Sequence, residues 1–125
     1  MTSRLTVDKG SSESSTFFET ETGYDAAIWQ SMVDMGWAGI ALPDTVGGAG
    51  MGVGSAVPVF EALGSGLLGT PLLSTTLAGQ LIWRAAGESA ADWLGRLCSG
   101  TVATVALLDQ ADWGAANLGV ALNAD

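Results

Sequence analysis

The 125-residue sequence predicts a mainly α protein that ends in a short β stub, and three observations carry that prediction. Apolar residues recur at helical spacing in several segments between about Asp25 and Cys98. Those segments are punctuated by Gly36, Pro71, Gly87 and Gly100, which stop or restart a helix. After Gly100 the pattern changes to Thr101–Leu108, a run that is β-branched, uncharged and without helical periodicity.

In order along the chain, residues 1–23 are rich in Ser, Thr and Glu and read as a flexible polar lead-in, with Phe17 and Phe18 as its docking point. The first helix is expected from Asp25, as N-cap, to Met35, with Gly36 as its stop. Residues 36–43 read as extended, since the residue before Pro43 avoids the α region. Residues 44–54 form a loop dense in glycine, in which at least one of Gly47, Gly48 and Gly50 is expected at positive φ. Ser55 is placed as the cap of a helix to Leu63, with Pro58 in its first turn. A long helix follows from Leu72 to Ala86, with Leu73, Leu77 and Ile82 expected to face inward. A shorter helix, Ser89–Cys98, should set Trp93, Leu94 and Leu97 on one side. Thr101–Leu108 and then Asn117–Leu122 read as strands, too few to stand alone. The division is therefore 1–23 lead-in, 24–100 helical domain, and 101–125 the start of a β domain.

Composition excludes much. A net charge of −9, from four basic and thirteen acidic residues, opposes binding to nucleic acid or anionic lipid. Without histidine there is no imidazole base or ligand, and Cys98 alone makes neither a disulfide nor a zinc site. No catalytic residue and no metal site are assigned. Met1–Gly10 lacks the apolar core of a signal peptide, so the cytoplasm is the expected location. The uncharged stretch from Ala62 to Trp83 is long enough to cross a bilayer, but the Gly69-Thr70-Pro71 break reads as a boundary between two helices, and no membrane span is expected. The glycine loop has neither dinucleotide nor P-loop spacing: Val53 and Ser55 stand where a third glycine would be needed, and no Lys follows.

Residues 24–110 resemble the N-terminal part of the acyl-CoA dehydrogenases. The resemblance rests on Tyr24-Asp25, Trp29, the run GWAGIALPDTVGGAGMG at 36–52, Glu61-Ala62-Leu63-Gly64, and the stretch Trp93–Gly100. It implies a flavoenzyme that oxidises an acyl-CoA thioester to the 2,3-enoyl form, built from a helical domain, a β domain and a helical bundle. This chain is then expected to supply the far end of the acyl pocket and to be inactive alone, because the catalytic carboxylate and most of the FAD site belong to parts not in this sequence. FAD is implied for the complete enzyme and not expected to bind this chain alone. The resemblance sets Leu107 and Leu108 beside the flavin, although Leu108 lacks the hydroxyl that the family usually has there. It sets Thr76, Gly79, Gln80 and Trp83 along the acyl tail, with Trp83 closing the pocket. On the other reading, Thr76 and Gly79 only let a neighbouring helix approach. Acyl-CoA as substrate and a homo- or hetero-oligomeric assembly are likewise implied. The alternative function is a non-catalytic helical interaction module or degenerate partner subunit.

Overall fold

The structure is a computed structural model, and it describes residues 21–106. The described residues form four helices, α1 (Ala26–Asp34), α2 (Val57–Ser65), α3 (Leu72–Ala86) and α4 (Ala91–Cys98), with short 3₁₀ turns between α1 and α2 and between α3 and α4. The start of α1 is fixed by Asp25, whose carboxylate accepts hydrogen bonds from the Ala27 and Ile28 amides at 2.7 and 3.0 Å. Its end is fixed by Gly36 at φ 79°, a left-handed position that only a residue without a Cβ adopts freely.

Several local expectations are corrected. Residues 36–43 are not extended throughout: Trp37–Gly39 forms a 3₁₀ turn, closed by the Ile40 amide on the Trp37 carbonyl, the Leu42 amide bonds back to the Gly39 carbonyl, and the chain is extended at Pro43. Ser55 does not cap α2. Its hydroxyl donates to the Met51 carbonyl, a 3₁₀ turn over Val53–Ala56 intervenes, and α2 starts at Val57 without a side-chain cap. Pro58 does sit in the first turn of α2, where its missing N–H is harmless. The predicted helix from Ser89 begins as a 3₁₀ turn, Gly87–Ala90, and becomes α-helical at Ala91. Thr101–Ala106, the described part of the expected strand, forms no ladder. There the Ala103 backbone bonds to the Thr75 hydroxyl, because no strand lies beside it among the described residues. The strand expected at Asn117–Leu122 lies outside the described residues.

The interior is two apolar clusters bridged by α3. One gathers Leu42, Val46, Ala90, Leu94 and Leu97, with Ile82, Trp83 and Cys98 packed against it. The other gathers Trp29, Met32, Ala38 and Leu72, with Ile28, Trp37, Phe60, Leu63 and Leu68 at its edge. The Trp29 indole N–H donates to the Gly100 carbonyl at 2.9 Å, which pins the exit of α4 onto α1 across 71 positions of sequence.

Two side-chain expectations invert. Leu73 and Leu77, predicted inward, are each 54% exposed, and the buried face of α3 is Leu72, Thr75, Thr76, Ala78 and Gly79. Of the three expected inward residues only Ile82 packs against a cluster. Trp93 is 62% exposed, apart from the buried Leu94 and Leu97, and the Arg96 guanidinium lies 5.0 Å from its ring centre. Among the described residues no helix is long and apolar enough to cross a membrane.

Candidate functional site

The glycine-dense loop doubles back on the segment before it and thereby builds one wall of a cleft. The Gly48 amide donates to the Pro43 carbonyl at 2.9 Å, Ala49 to Gly39 at 2.9 Å, and Gly50 to Leu42 at 2.8 Å. Gly48 is needed for this closure, because a Cβ there would overlap the Leu42 carbonyl. Gly47 and Gly50 take positive φ, as expected for this loop. The second wall is the C-terminal half of α3. The Gln80 side-chain amide donates to the Ala41 carbonyl at 2.9 Å and fastens the two walls together.

The cleft between them has a volume of about 500 Å³. Pro43, Val53 and the Trp83 ring supply apolar surface beside the buried Leu42, and the exposed Asp44 and Arg84 stand at its rim. Of the four residues expected along an acyl tail, the structure brings Gln80 and Trp83 into this cleft. Thr76 and Gly79 lie on the buried face of the same helix. A Cβ on Gly79 would meet the Leu42 and Leu97 side chains at 3.4 and 3.5 Å, so Gly79 backs the leucine that lines the cleft. Thr76 is buried, and its hydroxyl has no hydrogen-bond partner among the described residues. Leu107 and Leu108 lie outside the described residues.

Sequence reasoning missed three contributors. Asp44 and Arg84 border one cleft only because the loop, bonded back onto residues 39–43, is fastened beside α3 by Gln80, which is a non-local event. Thr75 binds the Ala103 backbone through its hydroxyl, accepting from the amide at 3.2 Å, and nothing distinguishes it in sequence from Thr76. Cys98 is partly buried. Burial pushes its thiol pKa up, against a smaller lowering by a backbone hydrogen bond, so it stays protonated at neutral pH and is a poor nucleophile. Among the described residues no three His, Cys, Asp or Glu side chains gather as a metal site would require.

The sequence model of the acyl-CoA dehydrogenase N-terminal domain matches residues 7–101, and the chain belongs to that family. Two curated relatives give the resemblance a more particular direction. The chain is 35% identical over 91 residues to acyl-CoA dehydrogenase IpdE2 of Mycobacterium tuberculosis, covering 72% of this chain and 28% of that protein. It is 44% identical over 61 residues to acyl-CoA dehydrogenase IpdE2 of Mycolicibacterium smegmatis, covering 48% of this chain and 20% of that protein. The matches thus span less than a third of either relative's length. No solved structure matches the chain.

Proposed function

We propose that this chain serves as the N-terminal helical domain of an acyl-CoA dehydrogenase, and that its cleft receives the far end of the acyl tail. The observation that carries the reading is the lining of the cleft. Pro43, Val53 and Trp83 offer apolar surface that an alkyl tail would bury at about 25 cal/mol per Å². Gln80 is already bonded to Ala41 and holds the cleft open at a fixed width. Thr76 and Gly79 act from beneath, Gly79 by letting Leu42 sit close to α3.

The cleft does not suit the nucleotide parts of FAD or of coenzyme A. It lies on the last two turns of α3, where the helix dipole is negative, and the Asp44 carboxylate offsets the Arg84 guanidinium at its rim, so no net positive charge is left for a pyrophosphate. A pyrophosphate is favoured at the opposite, N-terminal end of a helix. The flavin, the catalytic carboxylate and the coenzyme are therefore assigned to the remainder of the enzyme. The proposal extends to acyl-CoA as the substrate of that complete enzyme and to its assembly as an oligomer.

The test is made in the complete enzyme. Trp83→Ala opens the closed end of the cleft, so kcat/KM should rise for long acyl-CoA substrates relative to short ones. One methylene in an apolar pocket is worth about 1–3 kcal/mol of discrimination, so the preference should move by at least about tenfold for a tail two carbons longer. A uniform change across chain lengths would remove the cleft from the substrate path.

A further inference from the structure

The chain leaves the helices through Thr101–Ala106 and is held there at two points. The Trp29 indole holds the Gly100 carbonyl at 2.9 Å, and the fully buried Thr75 holds Ala103. The second hold is double. The Thr75 hydroxyl accepts from the Ala103 amide at 3.2 Å and donates to the Ala103 carbonyl at 3.5 Å. One hydroxyl reaches both groups because the N–H and C=O of a residue point the same way in extended backbone, as they do towards a paired strand. Among the described residues no other backbone group from Val102 to Ala106 is hydrogen-bonded. The side chains do not fix the register in its place. The segment reads Thr-Val-Ala twice over, and the methyl group that Ala103 packs against the Leu94 cluster is one that Ala106 also carries.

We propose that Thr75 is a positioning residue for the reaction of the complete enzyme, a role that rests on the cleft receiving the acyl tail. It fixes the direction in which the chain leaves the helices, and with it the separation between the tail cleft and the reacting end of the substrate. One helix carries both ends of that separation. Gln80 and Trp83, which line the cleft, stand about 8 and 12 Å along α3 from Thr75 at 1.5 Å per residue. The residues after Ala106 are joined to the helices through this segment, and the reacting groups are assigned to the remainder of the enzyme. Gly100 alone is a pivot about which the segment could swing, whereas Thr75 adds the second point that sets a direction. A slip of one residue at Ala103 would carry the following chain about 3.3 Å and turn its side chains over. Reacting atoms tolerate far less, since a misplacement of about 1 Å can cost about 100-fold in rate. The role needs the hydroxyl itself, because valine has the shape of threonine but neither donates nor accepts. A substrate too short to reach the cleft is held by the remainder alone and does not sense the separation.

The test compares the complete enzyme as parent, Thr75→Val and Thr75→Ser, with rates referred to the amount of folded enzyme. Thr75→Val should lower kcat on long-tailed acyl-CoA about tenfold or more, hold KM within about twofold, and leave short-tailed substrates at the parent rate. Thr75→Ser, which keeps the hydroxyl, should restore most of the long-tail rate. A second measurement needs no variant to fold: in the 125-residue parent chain the Ala103 amide should exchange with solvent at least about tenfold more slowly than those of Val102 and Thr104. Equal exchange at the three amides would overturn the proposal. A kcat loss of equal size on short and long tails would do the same, because a general structural defect costs every substrate alike. Trp83→Ala in the same assay distinguishes the two levels. A chain-length shift there with none in Thr75→Val removes the role of Thr75 and leaves the cleft assignment standing. No chain-length effect in either variant removes both.

Discussion

The two faces of α3 are composed in reverse of what hydrophobicity alone would arrange. The face turned to the interior carries Thr75, Thr76, Ala78 and Gly79 beside Leu72, and the face turned to solvent carries Leu73, Leu77 and Leu81, each more than half exposed. The reversal shows that close approach, and not apolarity, decides how this helix is oriented. Leu42 and Leu97 reach it from other elements, and at Gly79 their side chains come within 3.4 and 3.5 Å of the place where a Cβ would stand. The interior is filled by the neighbours' leucines, so α3 contributes room. Its own leucines, at i, i+4 and i+8, are left as an outward ladder.

The largest effect expected from breaking this arrangement is at Gly79. Gly79→Leu would drive four carbons into Leu42 and Leu97, and overpacking of that kind costs about 3 kcal/mol or more. Gly79→Ala should behave oppositely. Its Cβ would meet those side chains at ordinary contact distance, and alanine favours the helix by up to about 1 kcal/mol. Urea unfolding of the two variants should therefore give midpoints on opposite sides of the parent. A loss of stability in both would mean that position 79 tolerates no Cβ at all.

Next in size is the pair of threonines. Thr75→Val removes the hydroxyl that holds Ala103 and leaves a part-buried backbone amide unpaired, a loss of about 2 kcal/mol. Thr76→Val removes a buried hydroxyl that has no partner among the described residues, and should be neutral or stabilise by about 1 kcal/mol. Measured side by side, two adjacent substitutions of identical chemistry should thus differ, with a loss of unfolding free energy at Thr75 and none at Thr76. Equal losses would show that Thr76 has a partner after all.

This contrast also marks where the sequence stops being informative. The limits of α3, Leu72 and Ala86, are legible because Pro71 and Gly87 punctuate them, and Asp25 is legible as a cap because its chemistry is local. The sharp loop of Gly47 and Gly50 is legible for the same reason. The orientation of α3 is not. Apolar residues occur all round this helix, so periodicity offers two faces, and the choice is made by Leu42 and Leu97 arriving from elsewhere in the chain. Thr101–Leu108 reads as a strand from its β-branched residues, but β propensity is realised only beside a partner strand, and Thr75 takes the Ala103 backbone instead. The cleft is half legible. Gln80 and Trp83 follow from the family resemblance and the helix, whereas Asp44 and Arg84, 40 positions apart in sequence, border one cleft only in the folded chain.

The smallest expected effect is on the outward ladder, and it sharpens the comparison most. Leu77 is 54% exposed and belongs to neither apolar cluster, so little of its surface leaves water when the chain folds. Leu77→Gln keeps a good helix former of similar length and replaces an exposed apolar tip with a hydrated amide. The change in unfolding free energy should stay within about 0.5 kcal/mol, as for surface positions without a specific partner. Gly79, two residues further along the same helix, should respond to leucine with a loss several times larger. A loss at Leu77 comparable to that at Gly79 would mean that the ladder is covered in solution by something that binds the folded chain, and its dependence on protein concentration would say whether the cover is another copy.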